Sequence, residues 1–379
     1  VPDLLLRSIC LHPFHGYRNA ERLRLRARAL RAAPPDFDAT RAGRWRTLRL
    51  MAGQYLSREV PRLPVRLELG HGVARTVHEA TTDDEGFAVW DIPAPVPQPP
   101  DLSPRWETVT LRWRDGRHER RSTAFVLAPG AASPAIVSDI DDTIIETGIT
   151  GGWRSLARNW RRVLLERPGE RLLVPGADAF YAALGSRSAD QGHGGVPGGT
   201  RLAAPANPVF YISSSPWNLF PYLAAFKAGR ALPPGPMLLR DWGFNRATLG
   251  RSGHGAHKRD ALRHLAAFYP DLAFILVGDD TQDDLPAFGA FVEEHPGRVR
   301  GIFIRTTGRP PRAADGPLAT AIAAAGVPLW QGPDYAAAHG FLEMLGLGAD
   351  GPAHRALVPD HRPDPSSPGT SAPIHAGAS

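Results

Sequence analysis

Cysteine occurs once, at Cys10, and lysine only twice, at Lys227 and Lys258, in 379 residues. A single thiol excludes a disulfide within the chain and is compatible with a reducing compartment. Long hydrophobic runs are also missing, since no apolar stretch approaches the ~18 residues that a membrane span needs. The opening residues, VPDLLLRSICLHPFHGYR, show neither a basic leader nor a small-residue cleavage site. The expectation is a soluble, cytoplasmic, non-secreted protein without a transmembrane segment.

The near absence of lysine means that the basic charge is almost all arginine. A net charge of +6 suits anionic partners such as lipid headgroups or nucleic acid. Arginine bias alongside abundant Ala, Gly and Pro explains it equally well, so charge says little about partners. The scarcity has a corollary: where a lysine survives, a compact ammonium is called for that a planar guanidinium does not replace.

What is present divides the chain in two. Residues 22–30, RLRLRARAL, alternate apolar and basic with period two, and 64–70, 87–92, 108–115 and 122–129 read as further strands. Short strands without a convincing helix predict a small antiparallel β-sandwich over residues 1–130. The proline-rich PAPVPQPP at 93–100 reads as a loop between strands. From Ala135 the pattern changes. Apolar strands at 135–141, 208–215, 273–280 and 297–305 alternate with helical segments at 176–185 and 257–269, which predicts an α/β unit with a parallel sheet covered on both faces. This unit is expected to span 134–348, with an insertion at about 151–206 and a disordered tail at 349–379. The insertion holds a basic amphipathic helix at 151–175 and a glycine-rich loop at 185–201. No internal repeat is apparent.

In such sheets ligands sit at the carboxyl ends of the strands, where the polar clusters of this sequence lie. The first strand ends in AIVSDIDDTIIETG, with Asp139, Asp141 and Asp142 crowded together. Like charges this close repel unless a cation sits among them. A carboxylate can attack phosphorus to form an aspartyl-phosphate. A second carboxylate two residues on can protonate the leaving oxygen and later deprotonate the attacking water. A hard divalent cation offsets the repulsion, and Mg2+ is the natural candidate. An EF-hand fits poorly, because the glycine and glutamate that its loop requires are replaced by Ile144 and Thr150. The rest of the chain meets the demands of the phosphoryl reading in order. Ser213 in FYISSSP offers a hydroxyl to phosphoryl oxygens, Lys258 a charge, and Asp279 in LVGDDTQDD a further metal ligand, with Asp280, Asp283 and Asp284 close by.

This ordered set resembles the haloacid dehalogenase (HAD) superfamily of phosphohydrolases, with DIDDT, YISSS, Lys258 and VGDD in the places of its four motifs. More narrowly, SDIDDTI, YISSSPWNLFPYL, MLLRDWG, HKRDALRHLAAFYPDLAFILVGDD and GIFIR are similar to the catalytic domain of the actin-patch phosphatidate phosphatase family, in a bacterial form. The resemblance implies a HAD-like Rossmannoid sheet and Mg2+-dependent hydrolysis of phosphatidate to diacylglycerol and phosphate. It implies Asp139 as nucleophile and Asp141 as general acid/base, with Asp139, Asp141 and Asp279 on the metal. Ser213, Ser214 and Lys258 would hold the phosphoryl group and Thr143 would steady the loop. The family's Gly-Asp-Ser-Gly is here Gly278-Asp279-Asp280-Thr281, which leaves Asp280 and Asp284 as rival supporting carboxylates, with Asp284 the better spaced.

The leaving group is the softer inference. Trp217 and Trp242 fit a lipid interface or a buried core equally, and the basic insertion fits either an anionic inner-membrane surface or a cover over the site. The expected partners are phosphatidate or another phosphomonoester and peripheral anionic membrane, with no nucleic acid. A HAD phosphatase of a soluble phosphomonoester and a non-catalytic membrane-associated scaffold stand as alternatives. The oligomeric state is not readable.

Overall fold

The computed structural model describes residues 8–31, 59–70, 75–93, 104–130, 134–140, 174, 176–185, 201–203, 207–217, 220, 223–224, 227, 232–240, 254–281 and 283–347. The expected proline-rich loop past Pro93, the basic helix at 151–175, the glycine-rich loop, Trp242 and the tail lie outside them. So do Asp141 and Thr143.

The amino-terminal strands are β1 (Cys10–Pro13), β2 (Gly16–Arg18), β3 (Arg22–Leu30), β4 (Pro64–Leu69), β5 (Thr76–Thr81), β6 (Phe87–Pro93), β7 (Arg105–Asp115) and β8 (His118–Ala128). Period-two alternation puts Leu23, Leu25, Ala27 and Ala29 of β3 on a buried face and leaves Arg22, Arg24, Arg26 and Arg28 on the other. The expected sandwich is one continuous sheet. The nine residues of β3 pair along one edge with β6, and along the other first with β2 and then with β1. One strand thereby joins both halves. Leu25 and Trp90 of one half meet Leu67, Leu111 and Val126 of the other in a single core. All pairings in this sheet are antiparallel except β2 with β8.

β9 (Ala135–Asp139) opens a second sheet, while β10 (Arg201–Ala203) returns to the first and pairs with β7. With β11 (Val209–Pro216), β12 (Met237–Arg240), β13 (Phe274–Asp279), β14 (Val299–Arg305) and β15 (Leu329–Gly332), β9 forms a parallel sheet in the order β12-β11-β9-β13-β14-β15. Helices packed on it include α1 (Ala177–Gly185), α2 (His254–Phe268), α3 (Asp284–Glu294), α4 (Asp315–Ala324) and α5 (His339–Met344). α1 and α5 cover one face through Phe180, Tyr181 and Leu342, and α2, α3 and α4 cover the other through Leu262, Leu265, Phe288, Phe291 and Ile322. Both faces being covered explains why β9 and β13 read as unbroken apolar runs.

The two sheets share cores. Phe14 and Phe87 of the first pack with Trp217 and Phe220 of the second, and Trp106 and Leu127 pack with Phe210 and Ala261. Tyr17 Oη lies 2.7 Å from His264 Nε2, and Asn19 Nδ2 donates to the carbonyl of Phe268 at 2.7 Å. Among the described residues no helix is long and apolar enough to cross a membrane.

Candidate active site

β9 lies between β11 and β13, so the carboxyl ends of these three strands are neighbours. Asp139 is the last residue of β9 and Asp279 the last of β13, while Ile212, just before Ser213, pairs with Asp139 across β11 and β9. Asp139, Ser213, Lys258, Asp279 and Asp284 are all buried, none more than 3% exposed. Carboxylates and ammoniums are rarely this dry without direct partners.

Lys258 is the centre of the cluster. In α2 it continues the stripe of Ala261, Leu262, Leu265 and Ala266, so the helix turns its ammonium inward with its apolar face. Its Nζ stands 3.2 Å from Asp139 Oδ1 and bonds Asp284 Oδ1. Burial alone would lower its pKa, but the charges of Asp139, Asp284 and Asp279 outweigh that and hold the group protonated. The Asp284 carboxylate also accepts from the Asp279 N–H at 2.9 Å. Gly278 is required for this: a Cβ there would lie 2.5 Å from Asp284 Oδ2. The Asp279 carboxylate in turn accepts from the backbone and side chain of Thr281.

Three carboxylates around one ammonium leave an excess of negative charge. Burial, and then the neighbouring Asp284, push the Asp279 carboxyl up to about 7 despite Lys258 and Thr281. Burial raises Asp284 as well, against the pull of Lys258 and of the Asp279 N–H. Ligand oxygens of Asp139, Asp279 and Asp284 lie within 4.8 Å of one another. Such a set of hard oxygen donors with charge to spare fits a divalent cation.

The two rival supporting carboxylates separate clearly. Asp280 accepts from Thr307 N at 3.0 Å and from Thr307 Oγ1 at 2.6 Å, which ties the loop after β13 to the end of β14. Asp283, in the left-handed region with φ 61°, pairs with Arg312. Asp284 alone of the three turns into the cluster. Of Ser214 the side chain lies outside the described residues.

Several contributing residues carry no motif. Ser138 Oγ donates to the Asp139 carbonyl at 2.8 Å and meets Tyr181 Oη at 2.5 Å, so α1 braces the backbone of β9 from beneath. The dry strand-end serine was the available signal. Trp217 is not at a surface: it is 8% exposed, its ring 4.7 Å from Phe14, with the Arg26 guanidinium 5.3 Å above it. Of the two readings of this residue the structure keeps the buried one, because apolar side chains of the first sheet cover it.

Known proteins resemble the part of the chain that carries this arrangement. Residues 134–306 match the family described as "Phosphatidate phosphatase APP1, catalytic domain". The phosphatidate phosphatase APP1 of Saccharomyces cerevisiae is 28% identical over 170 residues, which is 45% of this chain and 25% of the yeast protein. An uncharacterized protein of Schizosaccharomyces pombe is 28% identical over 172 residues, again 45% of this chain and 25% of its own. The chain thus spans about a quarter of the length of these relatives. A family 39 glycoside hydrolase from the gut symbiont Bacteroides cellulosilyticus WH2 aligns over 66% of this chain and 46% of its own, with 8% identity and a TM-score of 0.14, too low to bear on fold or function. Residues 134–306, a little under half of the chain, are thus similar to the phosphatidate phosphatase APP1 catalytic-domain family.

Proposed function

We propose that the chain is a phosphatidate phosphatase of HAD type that hydrolyses phosphatidate to diacylglycerol and phosphate through an aspartyl-phosphate on Asp139. The observation that carries this reading is the buried Lys258 ammonium in contact with Asp139, the last residue of β9, beside Asp279 and Asp284.

An Asp139 carboxylate oxygen forms a bond to phosphorus as the bond from phosphorus to the glycerol oxygen breaks. Asp141, two residues on, gives a proton to the departing diacylglycerol oxygen. A water then attacks the acyl phosphate at phosphorus and loses its proton to Asp141, which releases phosphate and restores Asp139. Lys258 and the Ser213 hydroxyl face the phosphoryl oxygens, and their charge and hydrogen bond are already in place when negative charge is redistributed. Lys258 is held on both sides by carboxylates, so it cannot swing away. Asp139, Asp279 and Asp284 would hold Mg2+, with the Asp141 main-chain carbonyl, and the cation would neutralise the charge that gathers on the transferred group. On this reading the protein works in the cytoplasm and meets the membrane peripherally.

The test is phosphate release by the full chain, with and without Mg2+, from phosphatidate in detergent micelles and from a soluble aryl phosphate. The expected result is Mg2+-dependent turnover of phosphatidate far above the soluble ester, lost in Asp139→Asn. Turnover of the soluble ester alone would keep the mechanism and overturn the substrate. Full activity in Asp139→Asn would overturn the mechanism.

A further inference from the structure

The first sheet ends in a basic hairpin. Between β7 and β8, Arg114, Arg117, Arg120 and Arg121 are all exposed, and among the described residues none of them makes an ion pair with a carboxylate. The two acidic residues of the tip are engaged elsewhere, Asp115 with the backbone N–H of Ile9 at 3.2 Å and Glu119 with Arg112 at 3.4 Å. Arginine bias alone does not explain this. Elsewhere in the same sheet arginines are paired: Arg18 with Glu107, Arg24 with Asp91, Arg66 with Glu79 and Arg112 with Glu68.

The strands fix where this tip points. Going from Phe14 to Asn19, the chain starts against Trp217, beyond the carboxyl end of β11, and finishes at Phe268, the last residue of α2. Tyr17, between them, meets Phe210 edge to face near the amino end of β11. β2 therefore runs away from the end of the parallel sheet that holds Asp139. β8 is parallel to β2, with Gly16 opposite Val126 and Tyr17 opposite Leu127. Its first residue, His118, therefore lies on the active-site side of Leu127, about 30 Å away along the strand at ~3.3 Å per residue. β3, antiparallel to β2, gives the same direction independently: Arg24 lies over Phe268 and Arg26 over Trp217. The hairpin tip thus reaches beyond the carboxyl ends of the parallel strands, on the side from which substrate reaches Asp139.

We infer that the β7–β8 hairpin is a docking surface for an anionic lipid bilayer, and that it holds the active-site end of the molecule toward the membrane. Guanidinium groups pair bidentately with phosphate headgroups, and four of them on one rigid two-stranded tip attract an anionic surface within a Debye length. Nucleic acid is the less suited polyanion, because no exposed Phe, Tyr or Trp lies between the arginines for bases to stack on: Trp113 faces the core and the one exposed ring is the small imidazole of His118. The inference rests on phosphatidate being the substrate, since it explains how the enzyme finds a substrate that resides in a membrane.

The test compares the full chain with a variant carrying Arg114→Gln, Arg117→Gln, Arg120→Gln and Arg121→Gln. Both are sedimented with vesicles of phosphatidylcholine alone and with vesicles that also contain phosphatidylglycerol, a diester that the enzyme does not hydrolyse. The expected result is binding to the anionic vesicles only, about a hundredfold weaker in the variant and weakened in the wild type by added salt. Turnover of phosphatidate in anionic vesicles should fall with it, while a short-chain phosphatidate below its micellar concentration is hydrolysed at the wild-type rate. Equal vesicle binding by variant and wild type overturns the surface, as does wild-type binding to duplex DNA or RNA in preference to anionic vesicles. Arginine-dependent vesicle binding without turnover of any phosphatidate would instead overturn the substrate and leave the surface standing.

Discussion

Lys258 Nζ stands 3.2 Å from Asp139 Oδ1 and on its other side bonds Asp284, so a single ammonium joins the ends of β9 and of the loop after β13 through α2. Removing it with Lys258→Ala leaves three buried carboxylates without their cation. The expected cost is about 3–5 kcal/mol in denaturant unfolding with a chelator present. Added Mg2+ should recover part of it, because a ligand of the folded state stabilises by mass action. Lys258→Arg should fold better than Lys258→Ala but lose about a hundredfold or more in turnover, because the guanidinium does not fit between two carboxylates and the phosphoryl group. A normal rate in Lys258→Arg would show that the scarcity of lysine has no bearing on this position.

Ser138 and Tyr181 supply the second prediction. The hydroxyl of Ser138 donates to the Asp139 carbonyl, so the Tyr181 hydroxyl is the donor to Ser138 Oγ. Tyr181→Phe removes one buried hydrogen bond beneath Asp139, with an expected loss of about 1 kcal/mol in stability. If the chain of bonds positions Asp139, kcat falls severalfold with KM unchanged. Ser138→Ala should give the same loss, and the double variant no more than either alone, because the pair acts as one unit. Additive losses would mean that the two side chains are only packing.

How much of this was legible in the residues depends on the range of the interaction. Asp139 and Asp279 end strands, Ser213 follows the β11 residue that pairs with Asp139, and Lys258 lies near the start of an inward helix face; neighbouring strands of a parallel sheet bring such positions together, so their order along the chain sufficed to place them side by side. The choice of Asp284 over Asp280 was visible only as spacing. In the structure Asp284 contacts the backbone beside Gly278, while Thr307, two residues past β14, occupies Asp280. The burial of Trp217 was not legible, because Phe14 and Phe87 lie more than a hundred residues away in the other sheet. Nor was the continuity of the first sheet. RLRLRARAL announces a strand with one buried face, but pairing along its two edges is a backbone property that side-chain alternation does not encode.

The junction between the sheets predicts a pH effect. His15, partly buried, meets the Gly235 carbonyl at 3.2 Å, which requires its Nδ1 to carry the proton. Burial, and then the nearby Lys227, lower its pKa to about 4. The folded pKa lies below the unfolded value, so the neutral ring's stability is fully present above about pH 6.5 and is lost as pH falls toward 4. His15→Gln should remove up to about 3 kcal/mol of this acid sensitivity. Parallel denaturant titrations of the two proteins across that range check it, and identical pH slopes would exclude His15 as a contributor.

The second lysine gives the last prediction. Lys227 Nζ donates to the same Gly235 carbonyl at 3.2 Å and lies 3.8 Å from the centre of the Tyr211 ring. These contacts do not offset its burial, which pulls its pKa down from 10.5 to about 7. The unfolded chain therefore binds a proton more readily, and the folded state carries a penalty that is absent above about pH 10.5 and complete below about pH 7. Lys227→Met, of similar length and without charge, should stabilise the protein near pH 6 by about 3 kcal/mol, and the gain should shrink steadily as the pH is raised toward 10. His15 remains to donate to Gly235, so no carbonyl is stranded. Lys227→Arg, which cannot shed its proton, should destabilise at every pH. Thermal melts of both variants at several pH values decide it. A Lys227→Met protein less stable than wild type near pH 6 would mean that the ammonium, its carbonyl and the Tyr211 ring are worth more together than the cost of burying the charge.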